Sequence, residues 1–205
     1  MTDTAHQIKA LKAQAKIFLD MLDDLEKSIT PNPRLLFCSP VTGKIEQASN
    51  PFGGDWFDAT GFCKLYNSSG VLACHTGVDL NRPNYADAGA SVYAMSQGRV
   101  VFNSVVPGWQ GDVIVIEHTL EDGSLIWTRY AHIKAIAPYG ANVKSGDVIG
   151  VIADYNRDGP KGDHVHIDVC HIDLGREPGD WPGHDAARVT RDYIDPALWL
   201  RERAQ

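Results

Sequence analysis

The sequence predicts a mainly β protein, in which one N-terminal α-helix precedes a compact domain built on an antiparallel β-sheet. Three observations lead there. An apolar seam recurs every seven residues from Ile8 to Ile29 and then meets two prolines. From residue 34 onward, short runs rich in Val, Ile and aromatic residues alternate with Gly, Asn, Asp and Pro. The runs follow one another by turns, so they read as strands folded around one another and not as βαβ units.

The helix is read from Ile8, Ala15, Leu22 and Ile29 at one seam position and Leu11, Phe18 and Leu25 at the other. Such a seam suits self-association or docking, and equally a helix packed on its own domain. Thr30-Pro31-Asn32-Pro33 ends it, because proline lacks the amide donor and restricts the residue before it. The chain is therefore read as 1–33, the heptad-patterned helix, and 34–205, the β domain. Candidate strands are Ser91–Ala94, Gly98–Asn103, Val113–His118, Leu125–His132, Val148–Ile152 and His164–Cys170. Glu121-Asp122-Gly123 is a hairpin turn between two of them, since glycine tolerates positive φ, and Lys144-Ser145-Gly146 is another turn. Gly175–Asp192, with Pro178, Gly179, Pro182 and Gly183, reads as an irregular surface excursion, and Tyr193–Arg201 as a short apolar closing segment.

Its 205 residues suffice for one well-packed domain and an appendage. Lys and Arg number 19 against 26 Asp and Glu, a net charge of −7, which argues against a nucleic-acid partner. No window approaches the roughly 20 apolar residues that cross a bilayer, so no membrane span is expected. MTDTAHQIKALK lacks the basic start and apolar core of a secretory signal. That points to a leader outside this sequence, or to delivery by a particle or a non-standard export route. Cysteines at 38, 63, 74 and 170 form no C-x-x-C pair, which disfavours a structural zinc knuckle. Cys63 and Cys74 would bridge a loop in an oxidising compartment; the alternative is a set of buried free thiols.

Three clusters carry chemistry: His75-Thr76-Gly77-Val78-Asp79, Tyr130-Ala131-His132 and His164-Val165-His166. Along a strand alternate side chains share a face, so His164, His166 and Asp168 point one way and His171 the other. Imidazole and carboxylate are good zinc ligands, and hydrolytic zinc keeps three protein ligands plus water. His75, Asp79 and one of the H-x-H pair can supply that set, leaving the other histidines for proton transfer or charge stabilisation. The spacing alone does not name a reaction.

Taken in order, these stretches resemble the lysostaphin-type zinc endopeptidases of the bacterial cell wall. Asn50-Pro51-Phe52-Gly53 is similar to the family's opening turn, and His75-Thr76-Gly77-Val78-Asp79-Leu80 to its first metal motif. Val92-Tyr93-Ala94 and Gly98-Arg99-Val100-Val101 are similar to the strands that follow. Asp122-Gly123 through Tyr130-Ala131-His132-Ile133 looks like the central hairpin, and Val143 to Gly150 like the turn and strand before the H-x-H. The similarity runs over roughly residues 50 to 200. The resemblance implies a substrate groove, and one zinc per chain held by His75, Asp79 and His166. It also implies that His132 and His164 are catalytic, flanking a metal-activated water and the scissile carbonyl. The implied substrate is the peptide of peptidoglycan, met at the cell wall or in the periplasm.

Two departures bear on this. The approach to the H-x-H, Asp154 to Asp163, is charged and bulky where the family usually has Gly, Ser and Thr, which alters the groove rim. Asp168 stands where the family usually carries Glu, as a shorter carboxylate behind the ligand. Tyr66 is the nearest counterpart of the tyrosine that the family places before its first ligand. His118 reads as structural and His171 and His184 as solvated; Trp109, Trp127, Trp181 and Trp199 read first as packing residues and second as groove lining. A non-catalytic wall-binding or activating relative would be expected to have lost ligands, and all five positions are filled here. A cell-wall-degrading component of a phage-like particle or injection machine fits the helix, and is compatible with activity.

Overall fold

Successive side chains along the central strands point to opposite faces of the sheet, and apolar residues on both faces give the domain two cores. The computed structural model describes residues 11–12, 14–22, 34–68, 70–83, 87–154 and 162–203. Residues 14–22 are helical (α1), and their apolar side chains Ile17, Phe18, Leu19, Met21 and Leu22 are exposed. The seam positions Ile8, Leu25 and Ile29 and the proline stop lie outside the described residues. Residues 35–205 form a unit of their own.

Its strands are β1 (Phe57–Thr60), β2 (Leu65–Ser68), β3 (Val71–Cys74), β4 (Val78–Asn81), β5 (Ser91–Tyr93), β6 (Gly98–Val105), β7 (Asp112–Thr119), β8 (Leu125–Ala135), β9 (Asn142–Val143), β10 (Val148–Ile152), β11 (Val165–Cys170) and β12 (Tyr193–Ile194). Ten of them form one sheet in the order β1-β4-β11-β8-β7-β6-β9, with β10 joining β5 to β8 and β12 lying on β11. The pairs within it are antiparallel. β2 and β3 make a separate hairpin.

On one side of the sheet, Leu80, Ile114, Ile116, Ile126, Tyr130, Ile167 and Val169 pack with Phe37, Phe52 and Trp199 in the larger core. On the other, Val113, Val115, Trp127, Ala131 and Cys170 pack with Leu174, Val189 and Tyr193. The expected strands from 91 to 170 are present, and Gly123 and Gly146 take the positive φ expected of their turns. Two expectations change. The stretch 175–192 is not wholly irregular: Ala186–Asp192 is a helix (α2), capped by Asp185, whose side chain accepts from the Arg188 amide, and anchored by buried Val189. The closing segment is β12 followed by a helix, Pro196–Arg203 (α3), that buries Trp199 and Leu200.

His118 on β7 is structural, as expected. It is fully buried; Nδ1–H donates to the Gln97 carbonyl at 2.7 Å, and Nε2 lies 2.8 Å from the Thr128 hydroxyl. Burial outweighs the Gln97 bond and pulls its pKa down to about 4. The unfolded chain therefore gains a proton below about pH 6.5 that the folded chain refuses. Stability conferred by neutral His118 is complete above that pH and is lost as pH falls toward 4. Between pH 7 and 5 the protein is expected to lose about 2 kcal/mol more than a His118→Gln variant. Urea unfolding of both at the two pH values measures the difference; equal losses would overturn it.

Candidate metal centre

The centre is built on a register. β11 pairs with β4 so that His166 faces Asp79, and with β8 so that His166 faces Ala131. Val78, Leu80, Val165 and Ile167 turn to the larger core, which sends Asp79, His166 and Asp168 to the opposite face. His75 arrives from the loop before β4. A Cys63–Cys74 disulfide, with Cα atoms 4.5 Å apart, fixes the residue before it. The Cys63 amide donates to the His75 carbonyl at 2.8 Å, and the Cys74 amide to the Gly183 carbonyl at 2.7 Å. At Gly77 the loop crosses β11 so closely that a Cβ would overlap the Ile167 carbonyl oxygen, so only glycine fits.

Three ligand-type atoms meet there. His75 Nε2 lies 3.0 Å from His166 Nδ1 and 3.2 Å from Asp79 Oδ1, and His166 Nδ1 is 3.0 Å from the same oxygen. Zinc with bonds near 2.0–2.1 Å holds tetrahedral ligands about 3.3 Å apart, so this triangle fits a metal of that size. His166 Nε2–H donates to Asp168 Oδ2 at 2.8 Å, which turns Nδ1 toward the triangle. Burial would raise the Asp79 pKa, but hydrogen bonds from His166 and His75 outweigh it and hold the carboxyl well below the usual range. Burial likewise pulls His166 down, yet Asp168 and Asp79 win and lift it to about 9. Asp168 is held low against its own burial by Arg129 and His166.

His132 and His164 flank the triangle, with ring centroids 4.6 Å apart. His132 Nδ1–H donates to the Gln110 carbonyl at 3.0 Å, and His164 Nδ1–H to the Gly162 carbonyl at 2.8 Å, so each presents an Nε2 lone pair. His164 Nε2 is 3.6 Å from Asp79 Oδ1. Burial, then His164 and His166, pull the His132 pKa down to about 3. Strict alternation would point His132 at the larger core with Tyr130. Instead β8 carries one extra residue between Tyr130 and Ile133 relative to β7, and His132 takes a left-handed φ of 63°. This bulge turns the imidazole to the metal side and returns Ile133 to the core.

All five residues singled out in the sequence thus line one cleft of about 430 Å³, with Tyr66, Trp109 and Trp181 as its aromatic walls. Tyr66 stands edge-on to His75 at 5.8 Å. Trp109 and Trp181 were read first as packing residues; their place in the cleft has no periodic signal. Arg129 was missed, although a guanidinium inside the apolar run of β8 was a visible anomaly.

The sequence pattern that defines Peptidase family M23 matches residues 73–178, just over half of the chain. The chain belongs to peptidase family M23. Among curated relatives, the protein called DD-carboxypeptidase/endopeptidase Mpg of Neisseria meningitidis is 31% identical over 95 residues, 46% of this chain and 20% of that one. The Mpg of Neisseria gonorrhoeae matches equally. The chain spans about a fifth of the length of these curated relatives. Among solved structures, lysostaphin in solution superposes with a TM-score of 0.51 at 20% identity, over 72% of this chain and 51% of that one. A chain of the SpoIIIAH–SpoIIQ complex superposes with a TM-score of 0.51 at 22% identity, over 66% and 92%. At such identities the superpositions show a shared fold alone.

The left-handed backbone at position 132 costs any residue with a Cβ about 1–2 kcal/mol. His132→Gly and His132→Ala remove the same imidazole, but only glycine relieves the φ of 63°. The glycine variant is expected to be the more stable by about 1 kcal/mol in urea unfolding. An alanine variant of equal or greater stability would contradict the bulge.

Proposed function

We propose that this chain is a zinc-dependent endopeptidase that hydrolyses the peptide cross-links of bacterial peptidoglycan. One observation carries the reading: three ligand atoms no more than 3.2 Å apart, flanked in one cleft by two imidazoles that both present Nε2. Membership of family M23 and the similarity to Mpg support it.

His75 Nε2, Asp79 Oδ1 and His166 Nδ1 would hold the zinc. When bound, the metal supplies a Lewis acid that polarises a carbonyl and makes water a nucleophile near neutral pH. The chain's own residues do the rest. His132, kept neutral by burial, accepts a proton at Nε2, and either imidazole, once protonated there, donates to the developing oxyanion or the leaving amine. Burial, then Asp79 and Asp168, push the Tyr66 pKa up to about 12, so it stays a phenol and can donate to the carbonyl oxygen. Trp109 and Trp181 wall the cleft and limit water around a bound peptide.

Purified protein is expected to bind close to one zinc, and His75→Ala, Asp79→Ala and His166→Ala to lose it. His132→Ala and His164→Ala should keep zinc and lose about 10²-fold or more in hydrolysis. Metal content by mass spectrometry, and products released from purified peptidoglycans of differing cross-links, test both parts. Full zinc in the three ligand variants would sink the ligand set, and loaded protein that releases no peptide would sink the enzyme.

The place of action proposed is outside the cytoplasm, at the wall or in the periplasm, and the Cys63–Cys74 disulfide supports it. Alkylation of denatured protein taken from its native host without reductant is expected to label Cys38 and Cys170 only. Labelling of all four cysteines would place the protein in a reducing compartment.

A further inference from the structure

Behind His166 stands a side chain that the proposed chemistry does not use. Arg129 and Asp168 are both fully buried. The guanidinium donates through Nε to Asp168 Oδ2 at 2.7 Å and places Nη2 2.6 Å from the same oxygen, the one that accepts from His166 Nε2. Its Nη1 donates to the Pro178 carbonyl at 2.9 Å and the Asp180 carbonyl at 2.7 Å. The cation also lies 4.4 Å from the Trp109 ring centroid, and Trp109 in turn stacks on His132 at 5.8 Å with 27° between planes.

We propose that Arg129 is a positioning residue of this centre, holding the Asp168 carboxylate on His166 while setting Trp109 against His132 and the 178–181 turn against the cleft. The proposal rests on reading His75, Asp79 and His166 as metal ligands. A hydrophobic residue would pack in this place at less desolvation cost, since burying an ion pair is expensive. What the guanidinium adds is direction. Its planar fork serves a carboxylate and two carbonyls at once and leaves a face for the indole. A lysine has one nitrogen and can satisfy the charge but not the geometry. With Asp168 allowed to drift, His166 loses the bond that fixes its tautomer and ring plane, and the ligand triangle opens. Trp181, just past the Asp180 carbonyl, shares that anchor, and its ring lies so close over Gly183 that a Cβ there would overlap it.

The test is the zinc dissociation constant of Arg129→Lys, read by competition with a chromophoric chelator on protein shown to be folded by circular dichroism. A purely structural arginine would shift the unfolding midpoint and leave the constant alone. Positioning through Asp168 is expected to weaken zinc 10- to 100-fold. A constant within twofold of the parent protein overturns the inference. Should the lysine variant not fold, Asp168→Asn decides, because it keeps an acceptor for His166 but breaks the charge-assisted relay. Zinc weakened tenfold or more supports the relay, and smaller losses overturn it. If the parent protein itself takes up no zinc, the ligand assignment fails first, which separates that failure from this one.

Discussion

Asp79 faces His166 because β4 and β11 pair in one register, and a slip of one residue in either strand would turn that strand's side chain into the larger core. That register is enforced from the far side. Leu80, Val165 and Ile167 are fully buried, and exposing even one of them costs on the order of 2 kcal/mol. The apolar face of the sheet therefore fixes the polar face, and the Asp79–His166 pair follows from packing it does not take part in. His75 is then delivered against the pair by a loop whose closeness to β11 depends on Gly77 having no side chain.

The charges gathered there also follow from this arrangement. Asp79 and Asp168 are held ionised, Arg129 is a permanent cation, and with neutral imidazoles the cluster carries one net negative charge in a largely buried setting. Without a further cation the chain's own answer is a proton on His166, whose pKa rises to about 9. A divalent ion between the three ligand atoms would displace that proton and neutralise the same oxygen. The charge pattern and the triangle are thus both compatible with such an ion, and both trace to the contact of Asp79 with His166.

Much of this was legible in the sequence, and the reasons differ by residue. The central strands declare themselves because β-forming apolar residues are dense in β7 and β10, as in Val113-Ile114-Val115-Ile116, and because Val165, Ile167 and Val169 alternate along β11. His164, His166 and Asp168 share a face by the same period, so their convergence needed no tertiary knowledge. β1 and β2, FDAT and LYNS, gave no signal because four mixed residues at an edge carry no periodicity. α2 was hidden by the prolines and glycines before it. The Cys63–Cys74 pairing was only an option, since eleven residues of separation do not say whether a loop closes. Trp109, Trp181 and Arg129 meet the site through contacts tens of residues apart, which no local pattern encodes.

His132 shows where local reading must fail. Its period along β8 assigns it to the core face with Tyr130, and only an extra residue in the strand reverses that assignment. Among the described residues, the non-glycine positions with positive φ are His132 and Cys63, and both border the centre. Such backbone is unfavourable wherever it occurs, so it persists only where surroundings hold it. Cys63 is held by the disulfide and by its amide bond to the His75 carbonyl. His132 is held by its bond to Gln110 and by Trp109, whose ring is itself set against Arg129. One strained position binds the backbone of His75, and the other carries an imidazole that lines the cleft. At His132 the packing of Tyr130 and Ile133 into one core and the extra residue between them together turn an imidazole against the period of its strand.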